Sequence, residues 1–175
     1  MKNIVATLSL LFATTLSAQV AIGKSSISSP AVSLEFYDNA DNTRGIILPW
    51  VTSTAAVTGA VNGTLVYNTA DRKVYVKYAS GWRDLSVDNT GTVTTTLQDS
   101  LTDQDTAKVL IGGDPATDTT PGILVLADTN KAMVLPKVAS PHLNIVNPSP
   151  GMMVYDTTKK QLAVFNGTVW SFWKP

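Results

Sequence analysis

The chain has 175 residues, 13 basic against 13 acidic, with a single histidine and no cysteine. These counts exclude disulfide staples, thiolate nucleophiles, cysteine-based zinc or iron–sulfur sites, a lipid-anchored N-terminal cysteine and multi-histidine metal centres. A formal net charge of zero gives no electrostatic footprint for nucleic acid, and 23 threonines beside one glutamate, Glu35, favour strands over helices.

Met1–Ala18 opens with Lys2, continues through an apolar stretch from Ile4 to Phe12 and closes on Leu16-Ser17-Ala18 before Gln19. This is the pattern of a secretory signal peptide. The apolar stretch is shorter than the roughly 20 residues a permanent transmembrane helix needs, so export without membrane insertion is expected. The cell surface or the medium is the expected destination, with the periplasm as the alternative.

An internal repeat organises the rest. Gly63-Thr64-Leu65-Val66-Tyr67-Asn68-Thr69 aligns with Gly151-Met152-Met153-Val154-Tyr155-Asp156-Thr157, and the match runs on to pair Val76 with Val164 and Trp82 with Trp170. Upstream, Gly45-Ile46-Ile47-Leu48-Pro49 matches Ala132-Met133-Val134-Leu135-Pro136, and Val20-Ala21-Ile22-Gly23 matches Val109-Leu110-Ile111-Gly112. The spacing changes by one residue between blocks, as single insertions in loops produce. The organisation is therefore signal peptide 1–18, β-repeat 19–86, Thr/Asp-rich linker 87–107 and β-repeat 108–175.

In chain order, the first copy supplies short strands at Val32–Tyr37 and Ile46–Leu48. A segment at Thr52–Ala60 has room for one helical turn. A hairpin follows, Thr64–Asn68 with Lys73–Tyr78 around the turn Thr69-Ala70-Asp71-Arg72, where alternation puts Val74, Val76 and Tyr78 on one face. Ala79-Ser80-Gly81 then turns the chain into a third strand starting near Trp82. The linker is expected to order only against a neighbour, with a strand at Thr92–Leu97. The second copy repeats the scheme with Ile123–Ala127, Met133–Leu135, a turn within Ser140–Val146, Met152–Asp156, Gln161–Asn166 and a last strand from Trp170. The expected fold is all-β: two homologous small repeats, each a three-stranded meander with short upstream strands.

The order V-x-I-G, G-I-I-L-P and G-T-L-V-Y-N-T through to G-W resembles a module common in secreted surface proteins of Bacteroidetes. It is also similar to the shaft and head repeats of phage tail fibres and adhesins. The resemblance implies a trimeric, non-enzymatic β-structure at the cell surface, with a signal peptide of the same group. The second copy departs from the pattern at Ala132 and Lys137.

Candidate chemistry is sparse. His142, the only imidazole, would have to serve any hydrolase triad, and the sole glutamate, Glu35, leaves no glutamate pair for glycoside hydrolysis. Asp38 and Asp41, and in the linker Asp99, Asp103 and Asp105, offer oxygen ligands of the kind calcium takes, but without the glycine and bidentate glutamate of a calcium loop. Trp50, Trp82, Trp170 and Trp173, with Tyr75, Tyr78 and Phe165, are candidates for a sugar-stacking platform. Trp50 and Trp173 are not shared between copies, which suits them either to exposed contacts or to burial between copies or chains. Ser100, Thr106, Thr119 and Thr157 follow aspartates, and the resemblance implies them as O-glycosylation acceptors. No cofactor is expected. The leading reading is a structural or adhesive module that binds a surface protein or itself, as a homotrimer, through its β-repeat faces and strand edges. A carbohydrate-binding module is the alternative, and a small hydrolase a third.

Overall fold

The computed structural model describes residues 19–102, 104 and 106–174; Met1–Ala18, where a signal peptide is expected, and the linker aspartates Asp103 and Asp105 lie outside the described residues. The described residues form fourteen short strands and two isolated helical turns, so the fold is all-β and repeated. The first copy contributes β1 (Val20–Ile22), β2 (Val32–Phe36), β3 (Ile46–Ile47), β4 (Trp50–Val51), β5 (Leu65–Asn68), β6 (Lys73–Tyr78) and β7 (Gly81–Asp84). The second contributes β8 (Val109–Ile111), β9 (Leu124–Leu126), β10 (Ala132–Val134), β11 (Lys137–Val138), β12 (Met152–Asp156), β13 (Gln161–Phe165) and β14 (Trp170–Trp173). The helical turns fall where each Leu-Pro spacer leaves room, at Thr54–Ala56 and Pro141–Asn144. The strand expected at Thr92–Leu97 is absent: the stretch is irregular and runs into a turn, with Val93 packed on a core and Leu97 exposed, too little buried apolar surface to hold a strand on a sheet face.

Each copy builds the same meander. β5, β6 and β7 pair antiparallel, and so do β12, β13 and β14. The hairpin turns are fixed locally: Asn68 Oδ1 accepts the Ala70 N–H at 2.9 Å and Asp156 Oδ1 accepts the Thr158 N–H at 2.9 Å. Arg72 (φ 63°) and Lys160 (φ 54°) close the two turns in the left-handed region. β4 and β11 add in parallel to the outer edges of β5 and β12.

The copies are not laid end to end, because strands cross between them. β10 of the second copy pairs in parallel with β2 of the first, completing the sheet β1-β2-β10. β3 of the first copy pairs antiparallel with β12 of the second. The main core is accordingly mixed, with Leu48, Tyr67, Val74 and Leu85 packed against Met153 and Val164. A second core belongs to the second copy alone: Val138, Ile145, Met152, Val154, Ala163 and Phe165 under Trp170. The first copy carries Thr64, Tyr75 and Lys77 where that core has Met152, Ala163 and Phe165, so its outer meander face is too polar to build one. Among the described residues, no helix is long and apolar enough to cross a membrane.

The exchange explains the Gly45/Ala132 departure between copies. A Cβ on Gly45 would sit 2.6 Å from Val154 Cγ1, 2.8 Å from Met152 Cγ and 3.0 Å from the Met153 carbonyl oxygen. Gly45→Ala is expected to lower stability by about 1–3 kcal/mol, since the obstructing atoms belong to a packed strand. Ala132→Gly should change it by about 1 kcal/mol or less. Urea unfolding followed by tryptophan fluorescence separates the two.

Candidate functional site: the seam between the copies

The side chains that fix one copy to the other gather along the exchanged strands. Tyr67, fully buried at the end of β5, donates its hydroxyl to the Asn166 carbonyl oxygen at 2.8 Å, and its Cβ lies against Gly151. Burial pushes its hydroxyl up to about 12, so it stays a protonated donor at any working pH. Trp50 of the first copy donates its indole N–H to the Pro150 carbonyl at 2.9 Å, and Trp173 of the second donates to the Leu85 carbonyl at 2.6 Å. The Arg83 guanidinium lies 5.4 Å from the centroid of the Trp173 ring. Ser171 also donates its hydroxyl to the Ser86 carbonyl.

Charged groups also join the copies. Glu35 on β2 has no solvent access, and its Oε1 lies 2.9 Å from Lys24 Nζ while Oε2 accepts the Ser28 N–H at 2.7 Å. Burial opposes its ionisation, but the Ser28 N–H and the Lys24 ammonium outweigh it and hold the carboxyl below its ordinary value. Asp38 bridges Lys24 at 3.2 Å and Lys137 of the second copy at 3.3 Å. Ser33 donates to Asp128 Oδ2 of the second copy at 2.9 Å. An adjoining groove of about 550 Å³ is lined by Ile22, Gly23, Tyr37, Asp41, Arg44 and Pro136.

Asp156 anchors the second hairpin from within. Its Oδ1 accepts the N–H groups of Ser140 at 3.1 Å, Thr158 at 2.9 Å and Lys159 at 3.3 Å. Burial raises its pKa, and those backbone donors with Gln161 more than reverse this, leaving it low. With Glu35 and Asp156 both titrating lower in the folded chain, the unfolded chain binds more protons in acid. Stability should therefore be complete above the unfolded carboxyl pKa of roughly 4 and fall as pH drops through the folded values. An unfolding series from pH 7 to pH 3 checks this, and Asp156→Asn should flatten the acid limb.

The linker begins as part of the seam. Gly91 is wedged against the carbonyls of Arg72 and Asn166, Thr92 Oγ1 donates to the Gly167 carbonyl at 3.0 Å, and Asn166 Nδ2 donates to Asp88 Oδ1 at 3.2 Å. Val93 packs on the mixed core.

Most of the residues singled out by the sequence are distributed rather than gathered into a pocket. Trp50 and Trp173 sit between the copies, Trp170 packs 5.2 Å from Phe165 over the second core, and Tyr75 is half-buried with its hydroxyl donating to Asp71 at 2.7 Å. Only Trp82, half-buried opposite Lys77, and Tyr78, 46% exposed, remain near one another at the end of the first meander. The oxygens of Asp38 are taken by two lysines, and Asp41 accepts the Tyr37 hydroxyl at 3.0 Å. Asp99, Ser100, Thr106, Thr119 and Thr157 are all exposed. His142 is exposed on its helical turn, edge-on to Phe172 at 5.7 Å. The seam residues Tyr67, Asn166, Lys24 and Lys137 carry no sequence pattern that marks them as partners. The one available signal was the copy-specific difference at Gly45 and Ala132.

Residues 114–174 match the profile described as a phage tail like trimerisation region, which supports a tail-fibre-like module over the second repeat. No curated protein and no solved structure matches the chain.

Proposed function

We propose that the protein is a non-enzymatic structural module, exported from the cytoplasm, that assembles as a homotrimer and displays its repeats as part of a fibre-like or adhesive surface assembly. The trimerisation-region match over 114–174 carries the reading. The strand edges support it, because short sheets with uncovered edges are completed by pairing with another chain. Export rests on the basic, apolar and small-residue pattern of Met1–Ala18. Adhesion to a larger surface protein is the expected use of such a display.

Light scattering on the purified protein at low micromolar concentration tests the assembly. A mass three times that of one chain is expected, and a monomer across the range overturns it. Glycan binding has less support, because Trp50 and Trp173 use their indole N–H groups between the copies, which leaves Trp82 and Tyr78 as the available ring faces.

A further inference from the structure

The two copies are not equally complete, and the difference identifies an edge and the strand that fits it. In the first copy, β2 is flanked on one side by β1 and on the other by β10. In the second, β9 is flanked by β8 alone, and among the described residues nothing pairs with its other edge. Val20 lies opposite Leu34 and Val109 opposite Leu124, so Leu34 and Leu124 occupy the same place in their copies. Leu34 is 1% exposed under its third strand, whereas Leu124 is 47% exposed.

The hydrogen bonding shows which edge is open. Val109 N–H donates to the Ile123 carbonyl and Ala127 N–H to the Ile111 carbonyl, both toward β8. By strand alternation the N–H and C=O groups of Leu124 and Leu126 face away from β8. The strand that covers the matching edge in the first copy is β10, which the repeat equates with β3. β3 uses one edge on β12, through Ile46 and Leu48, whose N–H donates to the Gly151 carbonyl at 3.1 Å. Its other edge, through Gly45 and Ile47, corresponds to the edge by which Ala132 N–H donates to the carbonyl of Ala31, the residue that leads into β2. Among the described residues that second edge is unpaired, and Ile47 is 53% exposed.

We propose that β3 of one chain adds in parallel to the open edge of β9 of the next, with Ile46 opposite Leu124 and Ile47 opposite Val125. The occupant is a second copy of this chain because the same pairing already exists inside the chain, between β10 and β2, in the same orientation. An independent asymmetry agrees. Gly151 is covered by Tyr67, while a Cβ on the equivalent Gly63 would meet nothing within 4 Å and Tyr155 is only half-buried. The same junction sets Tyr155 of the chain that offers β9 over Gly63 of the chain that gives β3. Every chain then has one strand to give and one edge to fill, a head-to-tail contact that the trimer reading closes into a ring of three. The inference rests on the trimer reading above and assigns its interface.

The chain has no native cysteine, so a designed pair reports without background. The double variant Ile47→Cys/Val125→Cys, oxidised at low micromolar concentration, is expected to run as a covalent trimer on a non-reducing gel, with neither single variant cross-linking. Leu124→Pro removes only an outward-facing N–H and is expected to raise the concentration at which half the trimer dissociates by about tenfold or more. Far-UV circular dichroism checks that the fold is retained. A monomeric wild type overturns both this interface and the trimer reading. A trimeric wild type whose double variant forms no interchain disulfide, or a folded Leu124→Pro trimer of unchanged stability, overturns the interface and leaves the trimer standing.

Discussion

Tyr67→Ala is expected to lower unfolding free energy by about 3–5 kcal/mol, the range for emptying a fully buried aromatic site. The loss arises from three sources that share one side chain. The ring fills the mixed core beside Val74 and Met153, the hydroxyl satisfies the Asn166 carbonyl at 2.8 Å, and the Cβ region closes over Gly151. Tyr67→Phe keeps the ring and leaves the Asn166 carbonyl without that donor, for about 1 kcal/mol. Chemical denaturation of the two variants divides the packing contribution from the polar one. A Tyr67→Ala protein as stable as the wild type would remove the seam from any account of what holds the copies together.

Lys24→Met is expected to cost about 3 kcal/mol, because it strands the Glu35 carboxylate in a solvent-free position with only the Ser28 N–H to answer it. Lys24→Met with Glu35→Val should recover most of the loss, since replacing a buried pair by apolar groups is often close to neutral. The second copy supports this outcome: it carries Val125 where the first has Glu35, and Val125 pairs with Leu110 as Glu35 pairs with Ala21. Denaturant midpoints of the single and double variants at pH 7 decide it. A double variant no better than the single would mean that Glu35 contributes through more than its partner.

The strands were legible because period-two patterning and turn residues are local properties. The hairpins at Leu65–Tyr78 and Met152–Phe165 and the meander endings at Trp82 and Trp170 needed nothing beyond sequence spacing. The parallel pairings were not legible, because strands of two to five residues carry too few side chains to specify a partner. Nor does a repeat alignment say whether the copies sit side by side or trade strands, as it reads the same either way. Trp50 and Trp173 illustrate the limit: their lack of counterparts pointed equally to exposed contacts and to burial between copies, and only the carbonyls of Pro150 and Leu85 decide between them.

The traded strands also set the order in which the chain can fold. The β2 edge waits for Ala132–Val134, and the Tyr67 hydroxyl finds its acceptor 99 residues further on. An emerging first copy therefore has local hairpins but no finished core until most of the second has followed. Such non-local pairing predicts slow folding and a long-lived unfolded chain. For a protein read as exported, a slow start favours passage through the membrane before the structure closes.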